Sequence, residues 1–262
     1  MKLSISNIAW VAEDDTAVYE LMKKYSFSGL EIAPTRIFPD MPYDRNDEAR
    51  EWSTNLRKNY GFQVSSMQSI WYGRQEKLFG CDEERQILKE YTQKAIDFAT
   101  VIGCKNLVFG CPKNRFFPCG ADTDIGIRFF KEIGDYAYQN GTVIGIEANP
   151  TIYNTNYIND TISAIELIEQ VESKGLLLNL DLGTMLYNKE SLKVLRGKEM
   201  YINHVHISEP GLKKIEERAL HMQLSEMLEK TGYQGFVSIE MGNVNDLCVI
   251  EDKLAYVKGI FK

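Results

Sequence analysis

The sequence lacks the short motifs and long apolar runs by which several large protein classes are recognised. It contains no G-x-G-x-x-G and no G-x-x-x-x-G-K-[ST], which argues against the usual dinucleotide-binding and P-loop folds. No two of its five cysteines are spaced C-x-x-C, which argues against a zinc knuckle. The longest apolar runs fall far short of the roughly 20 residues that span a bilayer, so we expect no membrane partner.

Histidine and positive charge are also scarce. The chain has three histidines, and 30 Lys and Arg against 37 Asp and Glu give a net charge of −7. An acidic chain repels phosphate backbones at long range, so we expect no nucleic-acid partner. The odd number of cysteines, and a start that runs directly into a strand-like pattern instead of a signal-peptide core, predict a cytoplasmic protein with reduced thiols.

The rest of the composition is that of a globular protein, with 44% hydrophobic and 26% charged residues. Short apolar runs alternate about eight times with longer amphipathic segments. This alternation predicts parallel strands joined by right-handed crossovers, and favours a single α/β domain over residues 1–262, a (β/α)₈ TIM barrel. A doubly wound open sheet is the alternative. The predicted strands are Leu3–Ser6, Gly29–Ile32, Gln63–Met67, Asn106–Phe109, Val143–Glu147, Leu177–Asp181, Tyr201–Ile207 and Phe236–Glu240.

Segments with helical apolar spacing lie between these strands, and the clearest is Glu84–Ile102. The other predicted helices are Ile127–Gln139, Ile162–Val171, Ile215–Lys230 and Leu247–Ile260. A glycine follows several predicted helices, where a left-handed residue ends a helix: Gly103, Gly141, Gly175 and Gly232. In a barrel, the loops that follow strands form the face that carries active sites, and here they are Pro34–Asn46, Ser69–Cys81, Cys111–Asp122, Ala148–Asp160 and Ser208–Lys214.

Ligand-type side chains end the four last strands: Glu147, Asp181, His206 and Glu240. Their spacings of 34 (181−147), 25 (206−181) and 34 (240−206) are each close to one βα unit. Neighbouring strands of a barrel end side by side, so we expect the four to converge. Converging carboxylates repel without a counter-ion, and three oxygens with one imidazole suit a divalent ion. We expect Mn²⁺ first, with Mg²⁺, Co²⁺ and Zn²⁺ as alternatives. Alternatively, each carboxylate caps a helix or pairs with a lysine by itself.

The motifs around these residues resemble a known family. The segments SISNIAW, GLEIAP, SSMQSIW, LVFGCPKNR, GIEANP, LNLDLGT, HVHISEP and FVSIEM are similar to the xylose isomerase-like TIM-barrel superfamily, in the branch of ketose 3-epimerases, hydroxypyruvate isomerases and other sugar (phosphate) isomerase/epimerases. The resemblance covers nearly the whole chain and is strongest from Glu147 onward. It implies that Glu147, Asp181, His206 and Glu240 are the metal ligands, and that Glu147 and Glu240 also form the catalytic acid/base pair.

The chemistry that this resemblance implies is proton transfer beside a carbonyl. A sugar with a carbonyl next to a hydroxyl would chelate the metal, which stabilises the enediolate formed on loss of the neighbouring proton. For epimerisation a carboxylic acid on the opposite side returns a proton to the other face, whereas for isomerisation one base moves the proton between neighbouring carbons. We therefore expect a divalent-metal-dependent isomerase or epimerase, with a small sugar, sugar phosphate or keto acid as substrate.

The sequence departs from the ketose 3-epimerase pattern around the substrate. Three residues after the metal aspartate, where that branch has histidine, the chain has Thr184. Near the place of a second sugar-binding glutamate it has Tyr153, and beyond the metal histidine it has Glu209 and Lys213 instead of an arginine. A free ketohexose is therefore a weaker candidate than the metal quartet alone would indicate.

Other polar and aromatic residues of the strand ends and loops are predicted to meet substrate. Lys113 and Arg115 suit a phosphate or carboxylate, although a solvated loop is an equal alternative. Glu31 suits hydrogen bonds to sugar hydroxyls, or a position behind the metal ligands in which it contacts one of them. An ion pair with Arg36 is the alternative. His204 suits a place behind the ligands or interior packing. The predicted substrate-binding residues are Glu31, Gln68, Trp71, Lys113, Arg115, Asn149, Tyr153, Glu209 and Lys213.

Other functions stay open at this stage. An apurinic-type endonuclease shares the barrel but needs several zinc ions and hence many histidines. A keto-sugar or keto-cyclitol dehydratase would use the same metal site, with Glu209 or Lys213 assisting loss of a hydroxyl. A non-catalytic sugar-binding or scaffold barrel is the last alternative. We expect His221 and the charged run 213–218 at the surface. Loop aromatics predict pocket walls or a homodimer contact: Trp71, Tyr72, Phe116, Phe117, Tyr153 and Tyr157.

Overall fold

Eight parallel strands close into a barrel in the computed structural model, which describes residues 1–261. Each strand pairs with the next along the chain, and the last pairs with the first. The prediction of a (β/α)₈ barrel is confirmed, and the open-sheet alternative is wrong. The strands are β1 (Lys2–Ser6), β2 (Gly29–Ile32), β3 (Gln63–Met67), β4 (Leu107–Phe109), β5 (Ile144–Ile146), β6 (Leu176–Asp181), β7 (Ile202–Ile207) and β8 (Phe236–Ile239).

Helices connect the strands, and the five helices predicted from apolar spacing are present within residues 1–261 together with four that were not predicted. The longest, α4, ends at Gly103, whose φ of 73° lies in the left-handed region that glycine adopts without strain. The helices within residues 1–261 are α1 (Asp15–Lys24), α2 (Pro34–Ile37), α3 (Asn46–Tyr60), α4 (Asp82–Ile102), α5 (Asp124–Gln139), α6 (Thr161–Val171), α7 (Leu182–Asn188), α8 (Ala219–Lys230) and α9 (Leu247–Ile260). None of them is long and apolar enough to cross a membrane.

Two local predictions are corrected by the structure. Helix α8 begins at Ala219 instead of Ile215, and the segment before it is held by Glu209, whose carboxylate accepts the backbone N–H of Glu216 and the side chain of Arg218. Helix α6 ends in left-handed Glu172, so Gly175 is not its cap. Gly175 is required for another reason: a Cβ there would lie 2.0 Å from a backbone oxygen of the neighbouring helix α5.

The barrel wall separates an apolar outer layer from a polar interior. Strand residues that face the helices are aliphatic and buried, and each contributes about 1.5–3 kcal/mol by leaving water. The inward residues alternate with them and stand in register, so that Asp181 pairs with His206, and Asn179 with His204 one layer below. Because the aliphatic side chains face the helices, the side chains that point into the barrel can be polar, including those at its C-terminal end. The buried aliphatic residues include Leu3, Ile5, Leu30, Val205, Ile207, Val237 and Ile239.

Candidate metal centre

The structure brings four predicted ligand residues together at the C-terminal mouth of the barrel. Glu147 follows β5, Asp181 ends β6, His206 lies in β7 and Glu240 follows β8. One donor atom from each residue lies within 4.8 Å of the others. Glu147, His206 and Glu240 are buried, and Asp181 is half-buried. The closed barrel produces this convergence, because residues some 30 positions apart end neighbouring strands.

His206 uses its two ring nitrogens on opposite sides. Nδ1 faces the quartet, 3.0 Å from Oε1 of Glu147 and 3.2 Å from Oε2 of Glu240. Nε2 lies 2.9 Å from Oε2 of Glu31, deeper in the barrel. A carboxylate only accepts hydrogen bonds, so without a metal both nitrogens have an acceptor for a proton. A cation bound at Nδ1 would leave the proton on Nε2, where Glu31 accepts it.

Glu31 lies beneath the quartet instead of at the cavity surface where the sequence predicted a substrate contact. It is fully buried, and its Oε2 also accepts a hydrogen bond from Nε2 of His204 at 3.0 Å. Its Oε1 accepts from Nε2 of Gln68 at 3.1 Å. Burial opposes ionisation, but the two imidazoles outweigh it and hold the pKa of Glu31 below its ordinary value. Glu31 therefore orients His206, and Arg36 pairs with Asp15 instead.

Two asparagines hold the carboxylate of Glu147. Nδ2 of Asn179 donates to Oε1 at 2.8 Å, and Nδ2 of Asn149 donates to Oε2 at 3.0 Å. Gly110, just after β4, leaves the space that this carboxylate needs, because a Cβ there would lie 2.9 Å from Oε2. Neither Asn179 nor Gly110 was predicted from the sequence to lie at the site. Two features could have indicated them: Asn179 shares the inward face of its strand with Asp181, and Gly110 directly follows a predicted strand.

Asp181 is both a member of the quartet and the cap of helix α7. Its Oδ1 accepts the backbone N–H of Thr184, and its Oδ2 accepts the hydroxyl of Ser208. Thr184, which stands where the ketose 3-epimerases have histidine, turns away and donates to the backbone oxygen of Ala148. Asp181 is thus positioned by the first turn of α7, and Thr184 offers no side-chain group to a substrate.

The quartet is rich in negative charge that the protein alone does not compensate. Burial, reinforced by Glu147, raises the pKa of Asp181 to about 6, and burial raises the pKa of Glu240 to about 7 against the attraction of His206. Burial opposes protonation of His206, but Glu240 and Glu31 outweigh it and hold its pKa well above the ordinary value. Within residues 1–261 no lysine or arginine side chain is paired with these carboxylates. The residues therefore fit a divalent cation, which Glu147, Asp181, His206 and Glu240 would hold.

A cavity of about 190 Å³ opens over the quartet. The predicted residues Gln68, Asn149, Tyr153 and Glu209 line it together with Glu147, Asp181 and Glu240 of the quartet. The Tyr153 hydroxyl accepts the backbone N–H of Gly211, and burial raises its pKa to about 12, so it remains a neutral phenol. No lysine or arginine of the described chain lines this cavity.

Besides Glu31, four predicted substrate residues do not line this cavity. Arg115 is fully buried and donates to the backbone oxygens of Glu147 and Ile158 and to Oδ1 of Asn149, so it braces the loop after β5. Trp71 is buried and donates through Nε1 to Thr92 at 2.8 Å. The sequence could not reveal these partners, which come from other units of the barrel. The remaining two, Lys113 and Lys213, are exposed and do not line the cavity.

Glu209 lines the cavity, but both of its oxygens are engaged. Nε and one terminal nitrogen of Arg218 each donate to it at 2.6 Å. The expectation that the run 213–218 is merely solvated is therefore corrected at Arg218, which fixes the loop after β7. His221, expected at the surface, is buried, with Nδ1 2.9 Å from the Tyr256 hydroxyl.

Comparison with known proteins agrees with this architecture. The model of the family described as xylose isomerase-like TIM barrel matches residues 19–260, and the chain belongs to that family. No curated protein gives a significant match.

Several solved structures share the fold. The chain is similar to the 3-keto-D-glucoside 4-epimerase YcjR from E. coli (20% identity, TM-score 0.77, 99% of both chains covered). It is similar to the D-psicose 3-epimerase from Clostridium cellulolyticum H10 (16% identity, TM-score 0.80, 100% of both chains). A third is the probable 3-DHS dehydratase AsbF from Bacillus anthracis (15% identity, TM-score 0.69, 97% of this chain and 98% of that one). At these identities the likeness shows the fold alone.

Proposed function

We propose that the chain is a divalent-metal-dependent isomerase or epimerase that moves a proton at the carbon beside a carbonyl in a sugar or sugar derivative. The observation that carries the proposal is the quartet of Glu147, Asp181, His206 and Glu240, with donor atoms within 4.8 Å of one another at the floor of a cavity. Membership of the xylose isomerase-like family supports it.

A divalent ion held by this quartet supplies a Lewis acid that polarises a carbonyl and makes the neighbouring C–H more acidic. Mn²⁺ is our first choice for three carboxylate oxygens and one imidazole nitrogen, with Mg²⁺, Co²⁺ and Zn²⁺ as alternatives. The chain's own contribution is to fix the donor atoms beforehand. Glu31 orients His206, the two asparagines orient Glu147, and Ser208 and the α7 N-terminus orient Asp181.

Glu147 and Glu240 are the proposed catalytic acid/base pair. Both carboxylates line the cavity, and both lie close to Nδ1 of His206. One, as a carboxylate, would take up the proton beside the carbonyl, and the other, as a carboxylic acid, would donate its own proton to the opposite face for epimerisation. Gln68 and the Tyr153 hydroxyl line the same cavity and suit hydrogen bonds to sugar hydroxyls.

A dehydratase receives less support from the side chains. That reaction needs an acid to assist the departing hydroxyl, and the sequence offered Glu209 or Lys213. Glu209 has both oxygens bound to Arg218, and Lys213 does not line the cavity. Because the chain shares its fold with the probable dehydratase, the experiment should also test for loss of water.

The test is hydrogen exchange in D₂O. The protein with Mn²⁺ is incubated with ketoses, ketose phosphates and keto acids, and the products are analysed by NMR and mass spectrometry. We expect deuterium at the carbon beside the carbonyl, together with an isomer of unchanged composition. Glu147→Gln and Glu240→Gln should abolish exchange, whereas Glu229→Gln, which removes a charge on the exposed side of α8, should not.

A product lighter by one water would replace the proposal by a dehydratase. Exchange that continues unchanged in both Glu147→Gln and Glu240→Gln would contradict the assigned carboxylates. Absence of exchange across all three substrate classes, in protein shown to contain one metal ion per chain, would contradict the proposed reaction.

A further inference from the structure

A second and larger cavity adjoins the one over the quartet. It is formed by residues between 69 and 80, after β3, and between 111 and 118, after β4, together with Asn154; we call it the β3–β4 groove. Its volume is about 1020 Å³. Ser69, Cys111 and Pro112 line both cavities, so the groove lies directly beside the cavity over the candidate metal centre.

The two volumes indicate a substrate with two parts. Sites for small organic ligands are usually clefts of about 300–1,000 Å³, and the 190 Å³ cavity over the quartet is smaller than that range. It accommodates the reacting portion of a sugar. The groove at 1020 Å³ supplies the space for a further group joined to that portion.

The groove has the opposite charge character to the quartet. Lys77, Lys113 and Arg74 line it, and among residues 1–261 no carboxylate does. Glu76 pairs with Arg74 and compensates its charge. The ammonium of Lys77 donates to the backbone oxygen of Lys113, and Lys113 itself forms no ion pair within the described chain. Two uncompensated positive charges therefore lie beside an acidic centre, in a chain whose net charge is −7.

Exposed aromatic rings border the groove. Tyr72 is 70% exposed and Phe116 is 51% exposed, while the buried Phe79 forms part of the floor. Other loop aromatics are already packed: Phe117 and Tyr157 contact Phe79 with ring centroids 4.7 and 4.8 Å away. Tyr72 and Phe116 are thus the rings of these loops that remain available to stack on a ligand.

From this geometry we infer that the β3–β4 groove binds the distal, negatively charged part of the substrate, an acidic group carried by a keto-sugar derivative. Lys77 and Lys113 would bind the acid, and Tyr72 and Phe116 would flank the chain or ring that carries it. The acid is a phosphate or a carboxylate, since both have the oxygens that ammonium groups bind. The inference rests on the proposed function, because it supplies the part of the substrate outside the quartet cavity.

Binding affinities test the groove independently of turnover. The full chain with Mg²⁺ is titrated calorimetrically with D-fructose, the neutral glycoside lactulose, D-fructose 6-phosphate and D-fructuronate. We expect at least one acidic probe to bind about tenfold more tightly than both neutral ones. Comparison of the phosphate with the carboxylate identifies the acid. The double variant Lys77→Glu/Lys113→Glu should remove this preference, and Lys230→Glu, at an exposed site on α8, should keep it.

Several results would overturn the inference. The first is equal affinity for neutral and acidic probes. The second is a preference for acidic probes that survives in the double variant. The third is a dimer that Phe116→Ala dissociates, which would assign the groove to a second copy of the chain. Exchange measurements on the same samples separate the two proposals. Groove-dependent binding of an acidic probe without any exchange contradicts the proposed reaction alone, whereas exchange without acid preference contradicts the groove alone.

Discussion

Glu31→Gln tests how the buried layer beneath the quartet prepares the metal site. In the native chain one carboxylate accepts hydrogen bonds from Nε2 of His206 at 2.9 Å, from Nε2 of His204 at 3.0 Å and from Gln68 at 3.1 Å. The amide keeps the size of the side chain and one acceptor oxygen, but it loses the charge. Its NH₂ group must then face one of these donors.

The expected loss of metal affinity can be estimated from this arrangement. Removing a carboxylate that orients a histidine ligand typically costs about 10–100-fold in metal affinity, or about 1.4–2.7 kcal/mol. Glu31 faces two imidazole N–H groups, so we expect the upper half of that range. The fold should persist, because the variant retains the volume of a fully buried side chain.

The measurement is Mn²⁺ affinity, followed through the electron paramagnetic resonance signal of the free ion. Circular dichroism and urea unfolding confirm the fold, and Glu229→Gln controls for the loss of one negative charge. NMR of ¹⁵N-labelled imidazole in the metal-free chain should show a raised pKa of His206 in the native protein and a lower pKa in the variant, because Glu31 helps to hold the protonated ring. A folded Glu31→Gln variant with Mn²⁺ affinity within about twofold of the native chain would refute the role assigned to Glu31.

Three further predictions concern two residues around the quartet and the effect of Mn²⁺ on stability. Gly110→Ala should weaken Mn²⁺ binding about tenfold or more without unfolding the chain, because its methyl group would lie 2.9 Å from Oε2 of Glu147; unchanged calorimetric affinity would argue against this contact. Arg115→Met should lower the free energy of unfolding in urea by about 3 kcal/mol or more, since it orphans three buried acceptors; a loss below about 1 kcal/mol would contradict the bracing role. Mn²⁺ at about 100 times its Kd should add about 2.7 kcal/mol of stability, which EDTA should remove and Glu240→Gln should largely abolish; a melting temperature indifferent to Mn²⁺ would count against a specific site.

The fold was predictable from the sequence because all eight strands and five of the helices carry a recognisable apolar pattern, although α1, α2, α3 and α7 were not predicted. The convergence of Glu147, Asp181, His206 and Glu240 was equally predictable, since residues that end successive strands must meet once the barrel closes. The side chains that contact the quartet from beneath and from the side were harder to predict from the sequence. Whether Glu31 meets substrate or two imidazoles depends on how side chains from β2 and β7 reach across the barrel interior.

Charged and aromatic loop residues show the same limit. The sequence places Arg115 and Lys113 on one loop, but only the packed structure shows that Arg115 is fully buried while Lys113 faces the β3–β4 groove. His221 occupies a helix whose pattern looked polar, yet the Tyr256 hydroxyl from α9 provides a partner that permits its burial. Such contacts join distant segments and leave no periodic signal in the chain.

The most direct test of the account is the position and number of divalent ions in crystals soaked with Mn²⁺. Anomalous scattering should reveal one ion per chain, within coordinating distance of Glu147, Asp181, His206 and Glu240, and calorimetry should give the same stoichiometry. Crystals in which Mn²⁺ is absent from this cluster at saturating concentration, or bound only elsewhere on the chain, would contradict the central claim.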